Sequence, residues 1–206
     1  MAGRKGETSY HETVFGTIPR SQLIPLEIEG IQRAWNFVLK NVKPKTRITQ
    51  EFLKEIHEVG FRWIFPAMGG RFRKIDVEVS HHKPPSFYRV PQLMVDFCAD
   101  LAERLKYLPH INKPLFFTEL VSLLAWAQHR FLWIHPFQDY NGRIGRLLTN
   151  VILLKLDLPP IELKIDTKRG RIKYMQALQQ ADAGYLTKLE QMVKQAIEEA
   201  VNETNE

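Results

Sequence analysis

A single cysteine in 206 residues is the first restriction on this chain. Cys98 has no partner for an intramolecular disulfide, which points to a reducing compartment, and the expected location is the cytoplasm. Its segment is apolar and periodic, so the thiol reads as an inert core group. Long uninterrupted apolar runs are also missing. Leu115 to Ile134 has the length of a membrane span, but Glu119, Gln128, His129 and Arg130 interrupt it, and a central buried helix is the better reading. The opening residues MAGRKGETSYHETV contain no apolar h-region, so no secretory signal is expected. The absence of GxxxxGK[ST] excludes a P-loop. There is no zinc-finger spacing, no basic run alternating with aromatics, no internal repeat and no low-complexity tract.

What is present is ordinary for a globular domain: 44% apolar and 25% charged residues. Domains run to roughly 100–200 residues, so one domain with an added arm is the default. The 29 lysines and arginines exceed the 23 acids by six, which favours an anionic partner. A nucleotide fits that excess; without basic–aromatic alternation, nucleic acid is the weaker reading.

Hydrophobic periodicity makes the chain mostly helical. Residues 1–20 are polar, lack a helical period and are expected to form an extended arm. Ile28, Ile31, Trp35, Val38 and Leu39 recur at helical spacing, and Pro25 suits a first helical turn, so a helix is expected from Leu26 within an N-terminal segment 21–47. Thr49 reads as the N-cap of the next helix, with Phe52, Leu53, Ile56 and Val59 on one face. Gly69-Gly70 breaks the chain. The alternation of Phe72, Ile75, Val77 and Val79 predicts a small hairpin over 71–79. Further helices are expected from Val90 to Leu105, Pro114 to about Arg130, about Asn141 to Leu154, Lys168 to Ala181 and Leu186 to Val201. The expected fold is all-α with one small β-hairpin, its core spanning residues 48–206.

Chemistry concentrates in HPFQDYNGRIGR, His135 to Arg146. The first turn of a helix presents N–H groups without intrahelical partners, and its dipole favours negative charge. Gly142 lets a phosphate approach backbone closely. Arg143 and Arg146, three apart, project from one side of the helix, where two guanidinium forks can grip successive phosphates. Asp139 is a hard oxygen ligand suited to a Mg2+ held mainly by phosphates. His135 can serve as general base near neutral pH. Singly, each residue has a bland reading: a structural histidine, a solvated arginine pair, an Asx turn. Their joint occurrence at fixed spacing is what points to phosphate chemistry.

His135, Pro136, Phe137, Asp139, Asn141, Gly142, Arg143 and Arg146 match HPFx[D/E]GN[G/K]RxxR, and the chain resembles the Fic family. Gly70 to Arg73, Pro84-Pro85, His129 and the Tyr174, Ala177-Leu178, Ala181-Asp182 pattern extend the resemblance over roughly 48–189. Tyr140 stands where the family pattern has glycine. The resemblance implies a Fic-type helical bundle that transfers AMP from ATP to a Ser, Thr or Tyr hydroxyl of a target protein or of itself. His135 would be the base and Asp139 the Mg2+ ligand. Asn141, Gly142 and Arg143 would bind phosphates, with Arg146 on the γ-phosphate. Ile75, Asp76 and Val77 fall at the flap that aligns the target backbone by strand-like pairing.

The resemblance also suggests a brake. Ile28-Glu29-Gly30 is similar to the core of the family's inhibitory segment, with Pro25 where a Ser or Thr is usual. Glu29 would then pair with Arg146; the plain alternative is a solvated helix-start glutamate stabilised by the helix dipole. Two other functions stay open: a catalytically silent nucleotide- or partner-binding module, for which Tyr140 is the reason, and transfer of UMP or phosphocholine. Homo-oligomerisation is open, and no membrane partner is expected.

Overall fold

The computed structural model describes residues 10–79 and 82–204. Among them the order is β1 (Tyr10–Thr13), β2 (Gly16–Pro19), α1 (Arg20–Asn41), α2 (Gln50–Phe61), a 3₁₀ turn (Phe87–Arg89), α3 (Val90–Lys106), α4 (Phe116–Ile134), α5 (Asn141–Lys155), α6 (Lys168–Asp182) and α7 (Thr187–Thr204). The all-α reading with one small hairpin holds, but the hairpin lies elsewhere in the chain.

The two strands pair antiparallel from Tyr10↔Pro19 to Thr13↔Gly16. Gly16 closes the turn at φ +89, a conformation that costs glycine nothing. The hairpin docks through Val14 N–H, which donates to Ile64 C=O at 2.9 Å, and through the Phe15 ring against Trp63. Residues 10–19 of the expected arm are therefore ordered; residues 1–9 lie outside the described part.

The segment 71–79 is extended but does not pair with itself. Phe72 bridges to Phe137 instead, and Val79 pairs with His82. Its alternation reflects an extended chain laid against a distant loop, and the self-paired hairpin expected here is replaced by that contact.

Helix α1 starts six residues before Leu26, with Pro25 inside it. The proline lacks only the N–H that would have bonded Ser21 C=O, a tolerable loss so near the N-terminus. Its buried stripe is Leu23, Glu27, Gly30, Ala34 and Val38. Of the expected face, Val38 is buried and Ile31 and Trp35 pack against the core, but Ile28 is 64% exposed and Leu39 46%. Gly30 sets the correct face: a Cβ there would stand 2.4 Å from the Gly60 carbonyl oxygen, so α1 and α2 touch backbone to backbone. The segment 21–47 thereby shares one apolar core with the rest of the chain, Leu23, Ala34 and Val38 joining Leu53, Ile56 and Phe61.

Thr49 caps α2 as expected, its Oγ1 accepting from Phe52 N–H at 3.2 Å. Helix α4 is buried nearly all round, from Leu120 through Ile134, and packs against α3, α5, α6 and α7. This is the signature of a central helix. No helix among the described residues is long and apolar enough to cross a membrane. Cys98 is half-buried, and burial first, with Glu51 adding to it, pushes its thiol up to about 12, which keeps it unreactive. The role of α4 is to deliver its C-terminus, and the loop that follows, to the face of α1 and α2.

Candidate functional site

Between α4 and α5 the chain turns over six residues whose two ends are both left-handed. His135 ends α4 at φ 51, ψ 61, and Tyr140 precedes α5 at φ 63, ψ 11. Such a conformation costs an L-residue about 1–2 kcal/mol, so each needs outside support. Arg73 supplies it for His135. Its Nε donates to His135 C=O at 2.8 Å and its Nη1 to Ile75 C=O at 2.9 Å, while Nη2 donates to Pro85 C=O. Arg73 N–H donates to Pro136 C=O at 2.9 Å. A buried guanidinium thus collects carbonyls at the C-terminus of α4, where cations are favoured and carbonyls lack partners.

Phe137 anchors the loop. Its ring stacks on His57 at 4.0 Å between centroids. The Asn141 side chain closes the loop from the other side: its Oδ1 accepts from Phe137 N–H at 2.9 Å and its Nδ2 donates to Phe137 C=O at 2.8 Å. Sequence reasoning assigned Asn141 to phosphates. Here its side chain is occupied in shaping the loop, which leaves only its backbone N–H for an anion.

His135 is a half-buried ring whose proton affinity is reduced. Burial, with Arg73 and His82 nearby, lowers it to about 4 despite a hydrogen bond to Leu132 C=O. The ring nitrogen that donates to Leu132 carries the proton, and no described hydrogen bond engages the other. A neutral base at physiological pH is the state acid–base chemistry needs.

A second histidine had no place in the sequence reading. His57 is fully buried, its Nδ1 accepts from Gly70 N–H at 3.0 Å, and its Nε2 lies 3.3 Å from Asp139 C=O. Those partners require the Nε2–H tautomer, and burial lowers this ring to about 4. Both histidines are therefore neutral in the fold and titrate near 6.5 when unfolded. Between those values the unfolded chain binds more protons, so stability falls as pH drops from about 6.5 to 4. The expected loss from His57 alone is roughly 3 kcal/mol, read as a fall in the urea midpoint over that window. A midpoint flat from pH 6.5 to 4 would show that His57 takes up its proton without unfolding.

Asp139 is exposed. Its Oδ1 accepts from Tyr140 N–H at 2.6 Å, and no described hydrogen bond engages its Oδ2. Among the described residues no group of three or more His, Cys, Asp or Glu is placed to hold a metal ion. One carboxylate beside an anion site is nevertheless the donor set suited to a Mg2+ that takes its other ligands from phosphates and water.

The anion site is the start of α5. Gly142 is half-buried, and a Cβ on it would meet only Arg146 Nη1, at 3.7 Å. Arg146 is held by Gly142 C=O, which accepts from its Nη1 at 2.9 Å, and it also bonds the buried Tyr174 hydroxyl. Burial lowers the proton affinity of Arg146, but a guanidinium stays charged. Arg143 donates from Nη2 to Glu27 at 2.8 Å, and its Nη1 is buried without a hydrogen-bond partner. An unpaired buried N–H costs about 1–3 kcal/mol.

Glu27 is the residue that sequence reasoning missed. It is 2% exposed, and its carboxylate accepts from Arg20, Arg143 and the Tyr140 hydroxyl, the last at 3.0 Å. Burial alone would raise its proton affinity, but the hydrogen bonds from Arg20 and Arg143 outweigh burial and hold it below the usual carboxylate range. One signal was available: Glu27 sits on the stripe Leu23, Gly30, Ala34, Val38, an acid on a core-facing row. The expected Glu29–Arg146 pair does not form. Glu29 is half a turn away on the exposed side and pairs with Arg33 at 2.6 Å, an i,i+4 surface contact.

Tyr140 takes the left-handed conformation that a glycine would take freely. Its ring stacks on Phe61 at 3.8 Å, tilted by 7°, and its hydroxyl reaches Glu27. The stack and the hydrogen bond offset the backbone cost.

Ile75 is 54% exposed and follows the Phe72–Phe137 bridge, so the stretch 75–77 runs beside the His135 loop. Asp76 Oδ1 accepts from Phe87 N–H at 2.7 Å, and Val77 is half-buried. His129 Nε2–H donates to Asp182 Oδ1 at 2.9 Å. A groove of about 380 Å³ adjoins the arginines, lined by Ile28, Ile31, Arg143, Arg146, Ile161 and Asp166. A larger one of about 650 Å³ lies between α6 and α7, and no residue of the 135–146 segment lines it.

Comparison with known proteins agrees with this geometry. The profile of the Fic/DOC family matches residues 47–153. The chain is 33% identical over 159 residues to "Protein adenylyltransferase Fic" of Culex quinquefasciatus, covering 77% of this chain and 29% of that protein. The protein of the same name from Drosophila erecta is 33% identical over 158 residues, with 77% and 30% covered. The chain thus spans under a third of the length of these relatives. Among solved structures, BepC from Bartonella tribocorum with bound AMPPNP superposes with a TM-score of 0.72 at 16% identity, covering 93% of both chains. Fic-1 from C. elegans (residues 134–508, E274G) gives 0.71 at 23% identity, covering 87% of this chain and 50% of that one. With the profile spanning more than half of its residues, from before α2 to late in α5, the chain belongs to the Fic/DOC family.

Proposed function

We propose that this protein transfers AMP from ATP to a Ser, Thr or Tyr hydroxyl of a target protein or of itself. The carrying observation is a neutral, backbone-braced His135 beside the N-terminus of α5, where Arg143 and Arg146 flank Gly142. The names of the relatives and the AMPPNP carried by BepC support the same substrate.

In this reading the free nitrogen of His135 takes the proton of the target hydroxyl. That oxygen forms a bond to the α-phosphorus, and the bond from the α-phosphorus to the bridging oxygen breaks. Pyrophosphate leaves with the electron pair. The first-turn N–H groups of Asn141 and Gly142, with Arg143, hold the phosphates, and Arg146 holds the γ-phosphate. Asp139 would hold Mg2+, which supplies positive charge along the phosphate chain. Ile75 to Val77 would align the target by backbone pairing, supported by their place just after the Phe72–Phe137 bridge and by the exposure of Ile75 and Asp76. The left-handed turn that Tyr140 adopts, in place of the glycine of the family pattern, supports an active site.

The test is incubation with Mg2+ and α-labelled ATP, GTP, UTP or CTP. Label on protein from ATP is expected, with none when the γ-phosphate carries the label. Transfer from UTP alone would replace AMP by UMP. No label from any nucleotide, with ATP binding intact, would leave a silent binding module.

A further inference from the structure

We propose that Tyr140 and Glu27 are positioning residues: the Tyr140 hydroxyl fixes the Glu27 carboxylate, and Glu27 aims the Arg143 guanidinium at the phosphate site. The inference rests on the phosphate-binding reading of Arg143 and adds two residues outside the matched motif positions.

The geometry carries it. Glu27 Oε1 accepts from Arg20 and from the Tyr140 hydroxyl, and Oε2 accepts from Arg143 Nη2 at 2.8 Å. Three donors on two oxygens leave the buried carboxylate little freedom to turn. Arg143 Cζ also lies 5.4 Å from the Tyr140 ring, so one side chain touches both the carboxylate and the arginine it orients. The tyrosine in turn is clamped flat on Phe61. A carboxylate beside a phosphate-binding arginine could simply compete with the phosphate, and Arg20 argues against that. With Arg20 as a second cation on the same carboxylate, the trio keeps a net positive charge, so Glu27 orients Arg143 without cancelling it. This explains why a bulky aromatic occupies a left-handed position that favours glycine: its ring and hydroxyl do work that a glycine cannot.

Tyr140→Phe tests this, because it keeps the stack and the backbone and removes only the hydroxyl. ATP binding by calorimetry is expected to weaken about fivefold, the scale of one lost hydrogen bond, with adenosine binding unchanged. The KM for ATP should rise in step while kcat stays within about twofold. In an Arg143→Ala background the same substitution should have almost no further effect on ATP binding, because the route through Arg143 is gone. Glu27→Gln should behave the same way with a larger loss.

A second measurement needs neither binding nor transfer. The Arg143 side-chain Nε–H resonance should be ordered in the wild type and become mobile in Tyr140→Phe. Tighter ATP binding in either variant would make Glu27 a competitor and overturn the proposal. An undiminished effect of Tyr140→Phe in the Arg143→Ala background, or an unchanged Arg143 resonance, would overturn it as well. If wild type fails to bind ATP while the resonance behaves as expected, the phosphate reading fails and the positioning contact stands.

Discussion

Replacing His135 by alanine is expected to lower AMP transfer by about 10²–10⁴-fold, the usual contribution of a positioned acid–base group. ATP binding should stay within about twofold, because the proposed phosphate contacts come from α5 and its arginines. The split follows from the geometry. His135 is held by its carbonyl, through Arg73, and by its ring, through Leu132, and it makes no described bond to the anion site. Alanine tolerates φ 51 less well than histidine, so a loss of activity could be ascribed to a shifted loop. Asparagine removes that ambiguity. It tolerates the left-handed region better than most residues but is not basic at neutral pH. His135→Asn should therefore fold at least as well as the wild type and still be inactive. Substantial transfer by His135→Asn would mean that the ring shapes the loop and that another group takes the proton. The pH profile gives a third view: with the ring lowered to about 4, the acid limb of kcat/KM should lie well below the 6.5 of an ordinary histidine.

Much of the fold was legible because its signals are local. Thr49 capped the helix it was expected to cap, and the apolar residues from Leu115 to Ile134 formed one buried helix. The segment from His135 to Arg146 was legible for the same reason, since a loop running into a helix N-terminus can be read from twelve consecutive residues. The failures share a different cause. The extended chain at 71–79 looked like half of a hairpin, but its partner, Phe137, is 65 residues downstream of Phe72. The α1 face was only partly legible, with Val38 buried but Ile28 exposed, because Ile28 outweighs Gly30 on any hydropathy scale, whereas backbone contact with Gly60 decided the packing. Glu27 was passed over for Glu29 because only the second lies in a recognisable tripeptide. What selected Glu27 is its phase on the helix, four residues after Leu23 and three before Gly30. Motif residues announce themselves in sequence; the bracing contacts of Arg73, His57 and Glu27 form between segments far apart in the chain.

Arg73 is the brace with the most to lose, and its removal should be felt twice. Its guanidinium donates to the carbonyls of His135, Ile75 and Pro85, with Ile134 C=O at 3.4 Å, and its side chain is fully buried. Arg73→Met keeps much of the volume but leaves these acceptors without a donor. Unsatisfied buried polar groups cost about 1–3 kcal/mol each, so a loss of roughly 3–5 kcal/mol in stability is expected even after some relaxation. The second effect is on rate. His135 keeps its left-handed turn only while the carbonyl side is held, and a shift of about 1 Å in a reacting group can cost on the order of 10²-fold. At a temperature where the variant is still folded, transfer should therefore fall by about that factor, with a much smaller change in ATP binding. Lysine discriminates charge from shape. It restores the cation at the end of α4, but as a point charge on a flexible stem it cannot span the carbonyls on opposite sides of the loop. Arg73→Lys should recover part of the stability and little of the rate. Full recovery of both by lysine would mean that charge at the helix terminus suffices, and that the His135 loop holds its shape without the planar fork of Arg73.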